Sequence, residues 1–150
     1  MWLLAAVLGA VVVSVPDGDT LCVRLDGALV RVRLEGIDCP ETSQPHGLAA
    51  RWFVRKRVFT ASAQGRLHPR RVTLELHGRD RNGRRIGRMR VDGRDIGLDL
   101  LRAGFAWHYR RYNRDPALAR LEAEARRARR GLWADNKPIP PWQWRRGVRR

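Results

Sequence analysis

The sequence predicts one α+β domain that is mainly β, with five strands and three helices. Three observations support this fold class. Several short segments alternate apolar and polar residues, which is typical of strands that bury one face. Turn pairs such as Asp26-Gly27 and Asn82-Gly83 separate these segments, as in tight hairpins. A length of 150 residues, 43% of them hydrophobic, suits one buried core and is short for two domains.

The five strands are predicted from β-branched residues or from alternation, each bounded by turn residues. The segment after the first hairpin turn is the clearest, because Val30, Val32 and Leu34 alternate with charged residues. This alternation places Arg33 on the face opposite the core, so its side chain is expected to project towards solvent. The predicted strands are 9–15, 21–25, 30–34, 72–76 and 86–91.

Apolar residues recur at helical spacing in three other segments. The first helix is predicted from about residue 46 to 62, and the second, from about 96 to 103, ends at a glycine. The third helix begins with Asp115 as N-cap and Pro116 at its first position, and ends at Gly131.

The C-terminal residues 136–150 are rich in proline, tryptophan and arginine. The run Pro138-Ile139-Pro140-Pro141 predicts an extended tail, since proline cannot donate a backbone hydrogen bond. Trp142 and Trp144 are expected to pack on the domain, although stacking on nucleobases is the alternative. The domain itself is predicted over residues 9–135.

Residues 1–8 are almost wholly apolar and resemble the end of a secretory signal that lacks its basic first part. Asp17 interrupts the apolar run too early for a membrane-spanning helix of about 20 residues. The segment is therefore predicted to be a signal remnant, and the protein to be secreted or periplasmic.

The chain carries 31 Lys and Arg residues against 15 Asp and Glu residues, a net charge of +16. Such an excess repels itself in a compact fold unless a polyanion or counterions neutralise it. Nucleic acid is the leading predicted partner, because binding to an anionic membrane would require a basic amphipathic helix with bulky apolar residues. No stable protein partner is predicted, and the chain is expected to be a monomer.

Cysteine and histidine do not show the spacing of a soft-metal centre. Cys22 and Cys39 lack a Cys-x-x-Cys pattern and are expected to be unpaired. The four histidines lie far apart, without the i, i+4 spacing of a zinc site. Acidic residues are therefore the candidate ligands for any metal.

Three segments place acids or arginines at expected turns and strand ends, namely 17–20, 33–42 and 80–84. Taken singly, each is compatible with an ordinary turn. Carboxylates that converge from adjacent strands of a strongly basic protein suit a hard cation such as Ca²⁺, which takes oxygen ligands. Phosphodiester hydrolysis needs a positioned water, a base and positive charge on the phosphoryl oxygens, and the three segments together supply these groups.

Four motifs, in their order and spacing, resemble those of the staphylococcal nuclease (thermonuclease) family. They are Val11 to Thr20, Arg33 to Thr42, Asp80 to Arg84, and Leu121 to Ala125 leading to Gly131-Leu132-Trp133. The resemblance implies a five-stranded OB-fold barrel with three helices, which agrees with the strands and helices predicted above. It also implies a Ca²⁺-dependent endonuclease that cleaves DNA and possibly RNA to 3′-phosphate ends.

Residue by residue, the resemblance implies that Asp19 and Asp38 bind Ca²⁺ through carboxylates and Cys39 through its backbone carbonyl. Glu41 would be the general base towards the attacking water. Cys39 stands where the best-known member has threonine, which puts a thiol near the metal that is open to oxidation if it is exposed.

The same resemblance implies that Arg33 and Arg84 bind the phosphate, and it makes Tyr109 and Tyr112 candidate substrate-binding residues. Asn82 replaces a tyrosine that contacts the nucleotide in the family. The preference for a base, for DNA or RNA, and for single or double strands is therefore left open.

The main alternative is a non-catalytic OB-type module that binds nucleic acid or a protein ligand, since this fold also serves binding functions. Such a module would be expected to lose the acid and arginine set that this chain retains. A protein that merely coats DNA by charge would need no acids near its basic surface.

Overall fold

The computed structural model describes residues 7–149, which form ten strands, four α-helices and one 3₁₀ turn at Gly131–Ala134. The strands are β1 (Val7–Ser14), β2 (Thr20–Leu25), β3 (Ala28–Leu34), β4 (Ile37–Asp38), β5 (Phe59–Ala61), β6 (Leu67–Pro69), β7 (Arg71–Arg79), β8 (Arg85–Val91), β9 (Arg94–Asp95) and β10 (Trp107–His108). The helices are α1 (Gly47–Val58), α2 (Ile96–Ala103), α3 (Pro116–Arg127) and α4 (Pro141–Trp144).

Five of the strands, β1, β2, β3, β7 and β8, close into a barrel. Strand β1 pairs antiparallel with β2 and β7, β2 with β3, and β7 with β8. Parallel pairing of β3 with β8, from Val32 with Arg85 to Leu34 with Gly87, completes the ring. The mainly β class and the five-stranded barrel are therefore confirmed.

The turn pair Asp26-Gly27 joins β2 and β3 as predicted, and Asp92-Gly93 joins β8 and β9 in the same way. Asp26 and Gly27 have φ values of 49° and 80°, and Asp92 and Gly93 have 49° and 76°. Positive φ at both central residues matches the right-handed twist of the flanking strands, so short turns of this kind fix the register of β2 with β3 and of β8 with β9.

One apolar core fills the barrel and continues under α1 and α2. Burying side chains of valine or leucine size stabilises the fold by about 1.5–3 kcal/mol each, which holds the strand ends at fixed positions. Fully buried members are Val12, Leu21, Val23, Val32, Leu74 and Met89 from the strands, and Ala50, Val54, Val58, Ile96, Leu100 and Leu101 from the helices.

The helices agree with the prediction in position, with one change of length. Helix α2 covers the predicted residues, and α3 begins at Pro116 with the Asp115 carboxylate accepting from the Ala117 N–H at 2.8 Å. Helix α1 ends at Val58, before residue 62, because the next three residues pair with Leu67–Pro69 as strand β5.

Helix α4 corrects both the count of three helices and the prediction of an extended tail. Pro141 occupies its first position, where the missing N–H has no partner to lose. The Trp142 ring stacks on Tyr109 at 5.3 Å and meets Trp107 edge-on at 5.6 Å. The prediction that Trp142 packs on the domain is confirmed.

Residues 1–6 lie outside the described residues, so the predicted signal remnant stays a prediction. Val7 and Leu8, which that prediction included, belong to strand β1. Within residues 7–149, no helix has the length and apolar character needed to cross a membrane.

Candidate active site

The candidate site lies where β2 begins, β3 ends and β4 pairs with β10. Thr20 is the register partner of Arg33, and the Leu34 N–H donates to the Asp19 carbonyl at 2.8 Å. Asp38 is the last residue of β4. Strand pairing therefore brings together Asp19, Arg33 and Asp38, three of the residues that the sequence predicts for the site.

Arg33 bridges the two aspartates. Its Nη1 lies 3.2 Å from Asp19 Oδ2, and its Nη2 lies 3.0 Å from Asp38 Oδ1. Asp19 is 5% exposed and Asp38 is 1% exposed. The expectation that Arg33 projects towards solvent is wrong, because its side chain is only 12% exposed. Two buried carboxylates attract the guanidinium, since leaving them unpaired would cost several kcal/mol.

The charge balance at Asp19 is unusual. Burial raises the pKa of Asp19 to about 7, with Arg33 lowering it and the charges of Asp17 and Asp38 raising it further. Arg33 is the guanidinium that lowers the pKa of Asp19, and it only partly offsets burial and the neighbouring negative charges. An added cation at this point would stabilise the ionised form of Asp19.

Cys39 contributes its backbone to the same cluster. Its N–H donates to Asp19 Oδ2 at 2.6 Å. Burial, reinforced by the charge of Asp19, raises the pKa of the Cys39 thiol well above its usual range. The thiol is thus neutral and covered, and resists the oxidation considered from the sequence. Cys39 and Cys22 are both unpaired, as expected.

Glu41 is held on a tight loop at the start of α1. Its N–H donates to Gln44 Oε1 at 3.1 Å, and its carbonyl accepts from the Gln44 N–H at 2.8 Å. A Cβ on Gly47 would lie 1.7 Å from the Glu41 carbonyl oxygen, so the loop needs glycine there. The Glu41 side chain is 36% exposed, which leaves its carboxylate accessible to water.

Arg84 reaches the site through a hydroxyl. Its Nη1 donates to Thr20 Oγ1 at 3.3 Å, and that hydroxyl donates to Asp19 Oδ1 at 3.4 Å. The other side of the guanidinium is fixed by Asp80, whose Oδ2 accepts from Arg84 Nε at 2.7 Å. The structure thus places Arg84 at the edge of the aspartate cluster.

Tyr109 and Tyr112 lie on the loop that follows β10. Their rings meet edge-on at 4.8 Å, and the Tyr109 N–H donates to the Gly36 carbonyl at 2.9 Å. Tyr112 is 63% exposed, whereas Tyr109 is covered on one face by Trp142. Tyr112 therefore offers the more accessible ring for a ligand.

Sequence reasoning missed Arg145. Its Nη2 lies 2.7 Å from Asp38 Oδ2, and its Nη1 lies 2.7 Å from Glu41 Oε1. Burial lowers the pKa of Arg145, but hydrogen bonds with Asp38 and Glu41 raise it overall above its ordinary value. Several arginines share this tail, and only the packing of Trp142 tells which one reaches the site.

The donor set suits a hard cation. Asp19 and Asp38 offer buried carboxylate oxygens, the type of ligand that Ca²⁺ and Mg²⁺ bind. Among residues 7–149, no three acidic, histidine or cysteine side chains form a ready-made ligand group. Arg33 and Arg145 lie between the carboxylates instead.

Comparison with known proteins agrees with this geometry. Residues 31–135 match the family described as staphylococcal nuclease homologue. The chain belongs to the staphylococcal nuclease family. Members of this family use metal ions in catalysis, and the aspartate cluster lies within and just before the matched residues.

Several relatives of this chain carry nuclease names. An uncharacterized endonuclease of Escherichia coli O157:H7 is 42% identical over 135 residues, covering 89% of this chain and 82% of its own. An uncharacterized endonuclease of Haemophilus influenzae is 35% identical over 136 residues, covering 90% and 71%. A probable staphylococcal-like nuclease of Oryza sativa subsp. japonica is 39% identical over 119 residues, covering 79% of this chain and 33% of its own. Family and relatives together support a nuclease.

Proposed function

We propose that this chain is a Ca²⁺-dependent endonuclease that hydrolyses phosphodiester bonds of DNA and possibly RNA. One observation carries the proposal, which is that Asp19, Asp38 and Glu41 lie with Arg33 at one end of the barrel. A net charge of +16 supports a polyanionic substrate.

Asp19 and Asp38 would hold the cation through carboxylate oxygens, together with the backbone carbonyl of Cys39. A bound cation would neutralise negative charge that builds on the phosphoryl oxygens. The burial of both aspartates supports this role, because a dry site strengthens electrostatic interactions.

Glu41 would be the general base. It takes a proton from water as the water oxygen forms a bond to phosphorus and the bond from phosphorus to the 5′ oxygen breaks. Water protonates the 5′ oxygen, and Glu41 returns its proton to solvent, so that one water molecule is consumed. The expected products are a 3′-phosphate and a 5′-hydroxyl. The accessible carboxylate on a loop fixed by Gln44 and Gly47 supports this assignment.

Arg33 and Arg84 would bind the phosphate, since a planar guanidinium matches two phosphate oxygens. Their anchoring by Asp19 and Asp80 limits their motion, so little order has to be gained when substrate binds. Tyr112, exposed beyond the site, would contact a nucleobase or sugar with Tyr109 behind it.

The proposal is tested by cleavage of single-stranded DNA, double-stranded DNA and RNA with Ca²⁺, with Mg²⁺ and with a chelator. Wild type is compared with Glu41→Gln and with Glu124→Gln, which removes a carboxylate from helix α3. We expect cleavage to require the cation and to fall about 10²–10⁴-fold in Glu41→Gln, the usual contribution of a general base. Glu124→Gln is expected to match wild type.

Two results would count against the proposal. Binding of nucleic acid without cleavage under every cation would indicate a non-catalytic OB-type module. Equal rates in Glu41→Gln and wild type would remove Glu41 from the chemistry. Labelling of the product ends would separately test for 3′-phosphate.

A further inference from the structure

The C-terminal tail is fastened beside the candidate site at two points. Gln44 Nε2 donates to the Ile139 carbonyl at 2.5 Å, next to the loop that carries Glu41. Three residues later, Trp142 stacks on Tyr109 with an interplanar angle of 2°. Pro141, between these points, is buried. This anchoring brings the following residues across the carboxylates.

From that position, the Arg145 guanidinium donates hydrogen bonds to the carboxylates of Asp38 and Glu41. Its two terminal nitrogens lie 2.7 Å and 3.3 Å from Asp38 Oδ2 and Oδ1, and one of them also lies 2.7 Å from Glu41 Oε1. Arg33 already donates to Asp38 Oδ1 at 3.0 Å. Both oxygens of Asp38 are therefore engaged by guanidinium groups.

We propose that Arg145 is a further active-site residue, which holds the place of the divalent cation on Asp38 and covers Glu41 until the cation displaces it from Asp38. The proposal rests on the proposed function, because it takes Asp38 as a cation ligand. The contact is intramolecular, so the anchored tail keeps the guanidinium at high effective concentration beside the carboxylates. A cation must break the Arg145–Asp38 pair before it can bind Asp38 Oδ2.

Arg145 therefore sets the cation concentration at which the site fills. Its side chain is 42% exposed, so water already weakens the ion pairs, and the expected effect lies at the lower end for charged hydrogen bonds. Removing the guanidinium is expected to tighten Ca²⁺ binding by about tenfold.

The chain provides a matched control. Arg146 is the next residue and is exposed, and within residues 7–149 it makes no ion pair. Arg146→Gln removes the same charge from almost the same place, so it reports the general electrostatic effect of one arginine. The difference between Arg145→Gln and Arg146→Gln isolates the contact with Asp38 and Glu41.

Calorimetric titration of the full chain with Ca²⁺ alone, without nucleic acid, tests the proposal. We expect Arg145→Gln to bind Ca²⁺ about tenfold more tightly than wild type, and Arg146→Gln to stay within about twofold of wild type. Arg145→Lys keeps the positive charge but loses the planar guanidinium that can make two contacts at once. Its affinity for Ca²⁺ is expected to lie between those of Arg145→Gln and Arg146→Gln.

Equal or weaker Ca²⁺ binding in Arg145→Gln would overturn the proposal, as would equal tightening in Arg145→Gln and Arg146→Gln. Failure to detect Ca²⁺ binding in any variant would also overturn it. The proposed nuclease activity is tested separately by cleavage. Ca²⁺ binding that is tenfold tighter in Arg145→Gln, without cleavage by any variant, would refute the nuclease activity but would still show that Arg145 competes with Ca²⁺ for Asp38.

Discussion

Two clusters of acids and arginines in this protein have opposite charge balance. At the site, three acids, Asp19, Asp38 and Glu41, pair with the two guanidinium groups of Arg33 and Arg145, and the charge of a fourth, Asp17, also acts on Asp19. At the start of α2, the single carboxylate of Asp99 pairs with three guanidinium groups, those of Arg57, Arg94 and Arg102. Asp19 and Asp99 are both 5% exposed at the surface, but Asp19 lies deeper in the protein.

The pKa values of Asp19 and Asp99 shift in opposite directions because both burial and the neighbouring charges differ. Burial raises the pKa of Asp19 to about 7, and the attraction of Arg33 only partly offsets this effect. Burial also raises the pKa of Asp99, but hydrogen bonds from Arg94 and Arg57 outweigh it and leave the pKa below its usual value. The Asp99 cluster has more guanidinium groups than carboxylates, whereas the site cluster has an excess of carboxylates that the proposed cation would balance.

The largest expected contrast is in cleavage. Asp38→Asn removes a proposed cation ligand, so the rate is expected to fall by about a hundredfold or more. Asp99→Asn changes an equally charged residue away from the site and should leave the rate within about threefold of wild type. Rates are compared at saturating Ca²⁺ on single-stranded DNA. Similar losses in both variants would mean that the two clusters do not differ in function.

The second contrast is in stability. Asp99→Asn leaves three guanidinium groups without their shared carboxylate, and it is expected to lower the free energy of unfolding by about 1–2 kcal/mol. This figure is below the range for fully buried ion pairs, because the arginines are partly exposed to water. Urea denaturation in chelator measures it, with Glu124→Gln as control. If Asp99→Asn lowered the free energy of unfolding only as much as Glu124→Gln does, the Asp99 cluster would not stabilise the fold.

The barrel could be predicted from the sequence because its signals are local. Alternation in β3 and the Asp26-Gly27 turn both act within a few residues, and the structure reproduces them. The end of α1 was missed because Phe59 pairs with Pro69, ten positions along the chain. Helical spacing does not report such a partner.

The site was partly predictable for the same reason. The acids and arginines of the motifs are visible in the sequence, and strand pairing brings them together. Alternation placed Arg33 on the non-core face but gave the wrong solvent exposure, since periodicity does not include the attraction of Asp19 and Asp38 for the guanidinium. Arg145 depends on the packing of Trp142 on Tyr109, a contact between residues that are far apart in the chain.

The third contrast concerns Asp19 in the absence of metal. Above pH 7, its ionised carboxylate carries a desolvation cost, so Asp19→Asn is expected to raise the free energy of unfolding by about 1 kcal/mol at pH 8 in chelator. Asparagine retains an oxygen that accepts from the Cys39 N–H. Added Ca²⁺ should stabilise wild type but not this variant. A lower stability of Asp19→Asn in chelator would contradict the assigned charge imbalance.

The last contrast is in the pH dependence of stability, where the two aspartates should have opposite signs. The folded pKa of Asp19 lies above its unfolded value of 3.8, so its contribution to stability is full below about pH 4 and is lost as pH rises through about 7. The folded pKa of Asp99 lies below 3.8, so its contribution is present above pH 4 and is lost as pH falls through that lowered pKa. The free energy of unfolding is measured in chelator between pH 3 and pH 8. The value for Asp99→Asn should approach that of wild type at the acid end. The value for Asp19→Asn should rise relative to that of wild type towards the alkaline end. Parallel curves for wild type and both variants would show that neither carboxylate has a folded-state pKa different from that of the unfolded chain.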